Sequence, residues 1–477
     1  MHDNKKPLVV DLDGTLLNSD MLLETGLAFL RKQPARFYLP LLWLLRGGKA
    51  GLKANLAQEV HVDVTNLPFN EAVLDWLREE KLRGRSLVLA TATHRIYAEK
   101  IGEHLGLFDR VLATAETTNL SAQRKRDALV EAFGAEGFDY VGNSHDDIAV
   151  WEAADAAIVV NPDIGVTERA AAVANNIRVM ETRGGAARAW LKQLRLHQWL
   201  KNVLIFIPLV AAHKVGSLPL LLNAVLAFFF FSLCASSVYV LNDLLDLNED
   251  RKHPRKRYRP FAAGTLPIKA GMLVCPALLL TAFLGSYVLL PPMFTAGLAL
   301  YYVVTLAYSL LLKRAMIVDV VTLAALYTIR IIAGAFATGL ELTFWLLAFS
   351  MFMFLSLALV KRYAELLISK SKASEEKISG RGYYPGDLDM LASLGAASGY
   401  LSVMVLALYI QEGSTAHLYA HPKYIWLACP LLLFWVSRTW MLTHRGHMHD
   451  DPVVFAVKDR ISLLTGALMV LAFWIAV

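Results

Sequence analysis

The sequence predicts two joined parts: a soluble mixed α/β domain over residues 1–190 and an all-α membrane domain of about nine transmembrane helices over residues 191–477. The chain is 56% hydrophobic and only 18% charged, with a mean hydropathy of +0.43, which is too apolar for an ordinary soluble protein. After residue 190 the apolar residues form runs long enough to cross a bilayer. Before it, short apolar runs typical of buried strands alternate with helical patterns.

The first strand is predicted at residues 7–11, an apolar run that ends in Asp11-Leu-Asp13-Gly14-Thr15. A buried strand of an open α/β sheet commonly delivers functional side chains at its carboxyl end. Three further polar features follow in order: Thr91 after a second apolar run, Lys125, and the segment from Asn143 to Asp147 after a third run. The N-terminus lacks the long apolar core of a secretion signal, so we expect this domain to lie in the cytoplasm.

These features, in this order, resemble haloacid dehalogenase-type phosphatases, which have a Rossmann-like domain with a cap. The resemblance implies that Asp11 is the nucleophile that forms an aspartyl-phosphate and that Asp13 is the general acid and base. It implies that Thr91 and Lys125 contact the phosphoryl group, and that Mg²⁺ is bound by Asp11, Asp13, Asn143 and Asp147. Asn143 stands where the family has an aspartate, so a domain that has lost activity and serves as a scaffold is the alternative.

Residues 20–75 are largely helical by pattern and occupy the place where this family inserts a small cap. The apolar stretch 37–45 inside them is too short to span a membrane. Two interpretations stay open: the stretch is the core of the cap, or its aromatic residues press against the bilayer.

In the second half, candidate spans are predicted to begin near Trp199, Leu218, Gly271, Met293, Met316, Thr343, Leu388, Tyr424 and Ile461. The loops 242–270, 313–315, 361–387 and 442–459 carry nearly all the Lys and Arg of this half. By the positive-inside rule these loops face the cytoplasm, which predicts a multi-pass protein of the cytoplasmic (inner) membrane. This placement also accounts for the net charge of +6 without a nucleic-acid partner.

A cluster of carboxylates follows the second predicted span, where Asp243, Asp246 and Asp250 would share one face of a helix. Crowded oxygen ligands at a membrane boundary suit Mg²⁺, whose coordination shell substrate phosphates can complete. A run of basic residues comes next and could bind the remaining phosphate charge. The alternative is a solvated helix end followed by an ordinary positively charged loop.

The motif Asn242-Asp243-x-x-Asp246-x-x-x-Asp250 resembles the first aspartate-rich motif of UbiA-type intramembrane prenyltransferases, an all-helical fold of nine spans. Within that superfamily the resemblance is greatest to the decaprenyl-phosphate phosphoribosyltransferases. It rests also on the stretches 195–202, 253–260, 308–330, 361–365 and 445–452. Aromatic prenyltransferases carry a second DxxxD-type motif, but this chain has Asp319 followed by Leu323. The departure favours phosphoribosyl diphosphate over a prenyl diphosphate as the donor, with a polyprenyl phosphate as the acceptor.

The resemblance assigns roles to individual residues. Asp243 and Asp246 are the catalytic pair, which bind the metal with Asp250, and Asn242 orients them. The expected binding residues for the diphosphate or the ribose 5-phosphate are Arg257, Arg259 and Lys313, and those for the acceptor phosphate are Lys201, Lys361 and Arg362. Asn202 and Tyr308 complete the substrate-binding set. For Lys201, Lys361 and Arg362 the alternative is that their long side chains extend to the membrane surface and place the charge in water. For Tyr308 the alternative is a structural role.

The sequence thus predicts a Mg²⁺-dependent enzyme that transfers 5-phosphoribose to a polyprenyl phosphate at the bilayer, with a phosphatase domain that removes the 5-phosphate from the product. Two other hypotheses stay open: a prenyltransferase that acts on an aromatic or other small acceptor, and a transporter or scaffold for phosphorylated lipid metabolites. A homo-oligomer is compatible with the sequence.

Overall fold

The computed structural model describes residues 6–115, 119–182, 184–370, 382–411, 419–448 and 451–477. Parts of the predicted cytoplasmic loops 361–387 and 442–459, and of the loop near 415, lie outside these residues. The chain divides into two compact units. The first contains Met1–Leu194 and Tyr239–Cys275, and the second contains Arg195–Val238 and Pro276–Val477. The predicted domain boundary at residue 190 stays a prediction.

The first unit is built on a six-stranded parallel sheet of order β3-β2-β1-β4-β5-β6. Its strands are β1 (Leu8–Val10), β2 (Leu87–His94), β3 (Arg110–Thr114), β4 (Asp139–Gly142), β5 (Ala156–Val160) and β6 (Asn176–Met180). Alternate residues of β1 enter different cores, with Leu8 and Val10 on one face and Val9 on the other. Buried apolar runs of this kind favour a parallel sheet covered on both faces. The strand order reverses beside β1, which is where open α/β sheets usually place their sites.

The helices of this unit are α1 (Met21–Lys32), α2 (Leu39–Glu59), α3 (Glu71–Leu82), α4 (Arg95–Leu105), α5 (Gln123–Phe133), α6 (Ile148–Trp151), α7 (Val166–Val173) and α8 (Ala186–Gln193). The side chain of Asp20 caps the N-terminus of α1 by accepting from the amides of Leu22 and Leu23. The α/β prediction for this domain is confirmed, and helices α1 and α2 occupy the stretch predicted to be a helical cap.

Long apolar helices dominate the rest of the chain. They are α10 (Leu218–Leu245), α12 (Ile268–Leu289), α13 (Pro292–Leu310), α14 (Val318–Thr338), α15 (Phe344–Lys370), α16 (Leu388–Gln411) and α17 (Ala428–His444). The shorter helices are α9 (Ile207–Ala211), α11 (Leu247–Lys252), α18 (Pro452–Lys458) and α19 (Arg460–Ala476). These helices make the chain an integral membrane protein.

The predicted number of nine spans is not confirmed. Within the described residues, seven helices are long and apolar enough to cross a membrane, or eight if the pair α18 and α19 forms one span. That pair is bent by 82°, and Asp459 caps α19 at the break by accepting from the amide of Ser462. The stretch that begins near Trp199 is a 3₁₀ helix, Leu196–Phe206, followed by the short α9. Apolar composition therefore predicts the membrane helices, but it does not show where a helix cap or a change of helix type interrupts a span.

Candidate functional sites in the two units

Polar side chains converge at the carboxyl ends of β1, β2 and β4. The Lys125 ammonium, which α5 carries, donates to Asp11 Oδ1 at 2.7 Å and to the Tyr140 hydroxyl at 2.8 Å. It also lies 3.5 Å from Asp147 Oδ1. One buried cation is thus shared by two buried carboxylates. Burial raises the pKa of Asp11 to about 7, and the charge of Lys125 acts in the opposite direction.

Asp13 is oriented by two donors from different elements. The amide of Met21, the first residue of α1, donates to Asp13 Oδ1 at 2.8 Å, and the Thr93 hydroxyl donates to Oδ2 at 2.7 Å. Burial raises the pKa of Asp13 to about 6, with the negative charge of Asp20 as the next contribution. A carboxyl group with a raised pKa and a fixed orientation is suited to proton transfer near neutral pH.

Thr91 and Asn143 lie at the same edge of the sheet. Thr91 is fully buried, and its hydroxyl accepts from the amide of Thr93 at 3.0 Å. Asn143 Oδ1 accepts from the Thr15 hydroxyl at 3.3 Å. A side chain on Gly14, whose φ is +81°, would collide with the Asn143 amide group, so this close approach requires glycine.

The Asp147 carboxylate accepts four hydrogen bonds from protein groups. Its Oδ2 accepts at 3.0 Å from the amides of Asn143 and Ser144 and from the Ser144 hydroxyl, and its Oδ1 accepts from Tyr140 at 2.7 Å. Burial raises the pKa of Asp147, but Lys125 and these donors outweigh burial and hold the pKa below its usual value. Asp147 therefore fixes the loop after β4, and its predicted role in metal binding stays a prediction.

In the described part of the chain, no group of three Asp, Glu, His or Cys side chains is placed to hold a metal ion. The donors predicted for the first site, Asp11, Asp13 and Asn143, nevertheless supply only oxygen atoms, the ligand type that Mg²⁺ prefers. The type of ligand atom that these three residues supply is therefore compatible with Mg²⁺.

The acidic motif lies at the end of α10 and in α11. Asp243 Oδ1 and Asp250 Oδ2 both accept from one nitrogen of Arg259, at 3.0 and 2.6 Å. Asp243 Oδ2 accepts from the Gln193 amide at 2.9 Å. The helix is interrupted at Asp246, whose carboxylate instead lies 3.0 Å from the guanidinium of Arg31. Two of the three predicted carboxylates are thus brought together around a cation, and the third points elsewhere.

Three other residues, Asn242, Arg257 and Lys313, were predicted to act with this motif. The carbonyl of Asn242 accepts from the Asp246 amide at 2.9 Å, which ties the residue at the interruption to the end of α10. Arg257 is exposed, and its guanidinium lies 5.5 Å from the ring centroid of Tyr258. Lys313 belongs to the second unit, in the short 3₁₀ helix Leu312–Arg314. The predicted roles of these three residues stay predictions.

A buried ion pair holds the acidic motif to the soluble fold. Arg251 in α11 donates to both carboxylate oxygens of Glu24 in α1, at 2.6 and 3.0 Å, and to the Ala262 carbonyl at 3.0 Å. The side chains of Glu24 and Arg251 are only 1% and 4% exposed. A bidentate pair with this much burial fixes α1 and α11 relative to each other.

In the second unit, Asp451 brings together two predicted phosphate-binding lysines. Its Oδ2 accepts from Lys201 at 2.7 Å and from Lys361 at 3.2 Å, and its Oδ1 accepts from Tyr327 at 3.3 Å. The Asp451 carboxylate also caps α18 by accepting from the Val453 amide. A buried lysine, Lys201, and a partly exposed lysine, Lys361, share this carboxylate, and their combined charge exceeds that of Asp451, which suits an additional anion such as a phosphate.

Asn202 and Arg330 form a second buried group. Asn202 Oδ1 accepts from Arg330 at 2.9 Å, and its amide donates to Ser232 at 2.8 Å. The Arg330 guanidinium also lies 5.1 Å from the ring centroid of Tyr301. Asn202 therefore orients Arg330 in this structure.

Arg362, Tyr308 and Asp319 form a third network. Arg362 is 1% exposed and donates to Asp319, to Glu365 and, at 3.1 Å, to the Tyr308 hydroxyl. The Tyr383 hydroxyl donates to the other oxygen of Asp319 at 2.6 Å. The donors of Arg362 are thus engaged within the protein, an arrangement typical of a structural role, and its predicted contact with the acceptor phosphate stays a prediction.

Sequence reasoning assigned no site role to Asp451, Gln193, Glu24 or Arg31. Asp451 lies directly before Pro452, and a carboxylate followed by proline is a common start of a helix, so this signal was available. The other three residues lie more than 45 positions from the carboxylates or arginine that they contact, and no local pattern indicates such pairs.

In comparison with known proteins, each half of the chain matches a protein family. The model of the UbiA prenyltransferase family matches residues 203–464, and that of the haloacid dehalogenase-like hydrolases matches residues 8–152. The uncharacterized protein y4nM of Sinorhizobium fredii is 37% identical, over 99% of this chain and 92% of that protein.

Two other relatives match a smaller part of this chain. The nodulation protein NoeC of Azorhizobium caulinodans is 36% identical, over 57% of this chain and 87% of its own length. The decaprenyl-phosphate phosphoribosyltransferase of Mycobacterium tuberculosis is 31% identical, over 57% of this chain and 88% of its own length. Both are therefore markedly shorter than this chain.

Proposed function

The chain belongs to the UbiA prenyltransferase family and carries a haloacid dehalogenase-like hydrolase domain, and on that basis we propose that it is a bifunctional enzyme of lipid-linked phosphoribose. The membrane domain transfers 5-phosphoribose from phosphoribosyl diphosphate to a polyprenyl phosphate. The hydrolase domain then removes the 5-phosphate, which leaves polyprenyl-phosphoryl ribose. The observation that carries the proposal is the 31% identity with decaprenyl-phosphate phosphoribosyltransferase over 88% of that protein.

The acidic motif supports the first step. In the transfer, an oxygen of the acceptor phosphate forms a bond to the anomeric carbon of the ribose while that carbon releases pyrophosphate. Charge develops on the departing pyrophosphate, so cations directed at it supply most of the stabilisation. Asp243, Asp246 and Asp250 would hold Mg²⁺, on which both families in general depend and which would neutralise the diphosphate. Arg259 now neutralises Asp243 and Asp250, and we propose that its guanidinium turns to the diphosphate when metal and substrate bind.

Asp319 supports the choice of donor. A second metal-binding motif of the DxxxD type would need another aspartate at residue 323, where this chain has Leu, and Asp319 itself is bound by Arg362 and Tyr383. Lys201 and Lys361, which share Asp451, are the residues that we assign to the acceptor phosphate. No strong base is required, because a phosphate is already a nucleophile at neutral pH.

The geometry around Asp11 supports the second step. We propose that an Asp11 oxygen attacks the 5-phosphate and forms an aspartyl-phosphate, while Asp13 gives a proton to the departing 5-oxygen of the ribose. A water molecule, deprotonated by Asp13, then releases inorganic phosphate and regenerates Asp11. Lys125 and Mg²⁺ bound by Asp11, Asp13 and Asn143 would neutralise the charge at phosphorus.

We further propose that the protein lies in the inner membrane with both sites toward the cytoplasm, where phosphoribosyl diphosphate is available. The basic segments that carry Arg257, Arg259 and Lys313, and Lys361 in the last part of α15, agree with this orientation.

The test uses the full-length protein in lipid nanodiscs with labelled phosphoribosyl diphosphate and a polyprenyl phosphate, and it measures the mass of the lipid product. The wild type is expected to give polyprenyl-phosphoryl ribose, and Asp11→Asn is expected to accumulate the 5-phosphorylated lipid. If no label enters the lipid, the transfer is refuted. Label from a prenyl diphosphate on an aromatic acceptor would instead establish a prenyltransferase of the ordinary type.

A further inference from the structure

We propose that the segment from Phe37 to Leu45, which includes the first half of α2, is a lipid-docking surface. It would bring a membrane-embedded phosphate ester to the phosphatase-type site, which consists of Asp11, Asp13, Thr91, Lys125 and Asn143. This inference rests on the proposed second step and specifies its preferred substrate class: a phosphate carried on a lipid, which the docking surface favours over a free sugar phosphate.

The first observation is exposure. Phe37, Tyr38, Leu41 and Leu45 have exposed fractions of 69%, 50%, 59% and 73%. Contiguous apolar patches are uncommon on the surfaces of soluble domains and usually mark an interaction site. The opposite side of the helix is anchored, because the Trp43 ring packs edge-on against Phe29 of α1 with a centroid distance of 5.2 Å. The domain therefore holds this helix with its apolar residues outward.

The second observation is charge. Residues 34–58 contain no Asp or Glu, and three of their four basic side chains, Arg36, Arg46 and Lys49, are exposed, whereas the fourth, Lys53, is bonded within the protein. Exposed aromatic and leucine side chains combined with basic residues are typical of helices that lie in the interface of an anionic membrane. A docking surface for a protein has no need of uniformly positive charge. The charge therefore favours a lipid surface as the occupant.

The third observation connects the patch to the site. At Gly48, with φ +59° and ψ −161°, the helical path breaks, and the second half of α2 continues in a new direction. Lys53 in that second half donates to the Ala92 carbonyl and, at 2.8 Å, to Asn119. Ala92 lies between Thr91 and Thr93, and the Thr93 hydroxyl binds Asp13. One helix thus carries an apolar surface at its beginning and, near its end, a contact with the part of β2 that binds Asp13.

The functional test compares two substrates with the same reacting phosphate. Phe37→Ser, Leu41→Ser and Leu45→Ser are combined in the full-length protein, which is reconstituted in phosphatidylcholine–phosphatidylglycerol vesicles. The value of kcat/KM for a polyprenyl-phosphoryl 5-phosphoribose is expected to fall about tenfold or more, and that for free ribose 5-phosphate to stay unchanged. The matched control is Leu82→Ser with Ile164→Ser, at sites that are 88% and 98% exposed, and it should alter neither value.

A direct measurement separates this proposal from the proposed phosphatase activity. An environment-sensitive dye is attached at Leu45→Cys or, as the control, at Ile164→Cys, after the three native cysteines are replaced by serine. Quenching by a lipid-borne quencher at residue 45 and not at residue 164 is expected.

If residue 45 is not quenched, or if the triple variant lowers kcat/KM equally for both substrates, the docking surface is refuted even when the phosphatase is active. A change in oligomeric state of the triple variant would assign the patch to a second copy and would also refute it. A wild type that is quenched at residue 45 but hydrolyses neither substrate would refute the phosphatase step alone.

Discussion

The phosphatase-type site and the acidic motif both consist of buried carboxylates, but they are neutralised in different ways. Around Asp11, one lysine serves two carboxylates, and hydroxyl and amide donors orient the rest. In the acidic motif, Arg259 neutralises Asp243 and Asp250, and Arg31 neutralises Asp246, where we propose that a metal and a diphosphate bind. In the proposed mechanism, Lys125 stays in place throughout the reaction, whereas Arg259 has to leave its carboxylates before metal and substrate bind. We therefore expect the two sites to respond differently to the same kind of substitution.

The largest expected effect is at Asp11, the proposed nucleophile. Asp11→Asn keeps the size of the side chain but removes the attacking oxygen, and phosphate release should fall by about 10⁴-fold or more. Transfer of phosphoribose should stay within about twofold of the wild type, because the acidic motif is unaltered. The measurement is release of inorganic phosphate together with the mass of the lipid product. A residual phosphatase rate near that of the wild type would show that another group attacks phosphorus.

The next effect concerns the connection between the two sites. Glu24→Gln leaves Arg251 buried without its counter-charge, which should lower the free energy of unfolding of this unit by about 3–5 kcal/mol. Thermal unfolding in nanodiscs measures the change. Asp75→Asn is the matched control, because its partner Arg78 is exposed and such pairs contribute about 0–1 kcal/mol. Glu24→Leu combined with Arg251→Met should recover most of the loss. Equal effects at Glu24 and Asp75 would show that burial of the first pair has no energetic weight.

The contrast also shows what the sequence could predict. Asp11, Thr91 and Asn143 follow apolar runs that form adjacent strands, so these runs, together with the family resemblance, were sufficient to predict them at one edge of the sheet. The three aspartates of the acidic motif were predicted on one face from helical spacing, but the helix is interrupted at Asp246. The partners of these aspartates, Arg31 and Gln193, come from distant helices. Contacts between distant segments depend on the tertiary fold, which local patterns do not encode.

A smaller effect is expected at the acidic motif. Asp243→Asn removes one of the two carboxylates that share Arg259, and transfer of phosphoribose should fall by about 10²–10³-fold. Phosphate release from a supplied 5-phosphorylated lipid should be unchanged. Raising the Mg²⁺ concentration should recover part of the rate, because the variant is expected to bind the ion more weakly. A loss that Mg²⁺ does not relieve, accompanied by a lower unfolding temperature, would assign Asp243 to folding.

The smallest effect is a gain at Asn143. Asn143→Asp adds a negative charge among the oxygen donors of Asp11 and Asp13, so Mg²⁺ should bind about tenfold more tightly. Without the ion, the added charge lies close to other carboxylates and should lower the unfolding temperature, because like charges repel. Phosphate release is measured as a function of Mg²⁺ concentration, with thermal unfolding in the presence of Mg²⁺ and of a chelator. Asn143→Ala is the control, and it should weaken Mg²⁺ binding without destabilising the ion-free protein through charge. If Asn143→Asp and Asn143→Ala respond to Mg²⁺ alike, residue 143 does not contact the metal. The phosphatase-type site would then need a rearrangement before it binds the ion, as we propose for the acidic motif.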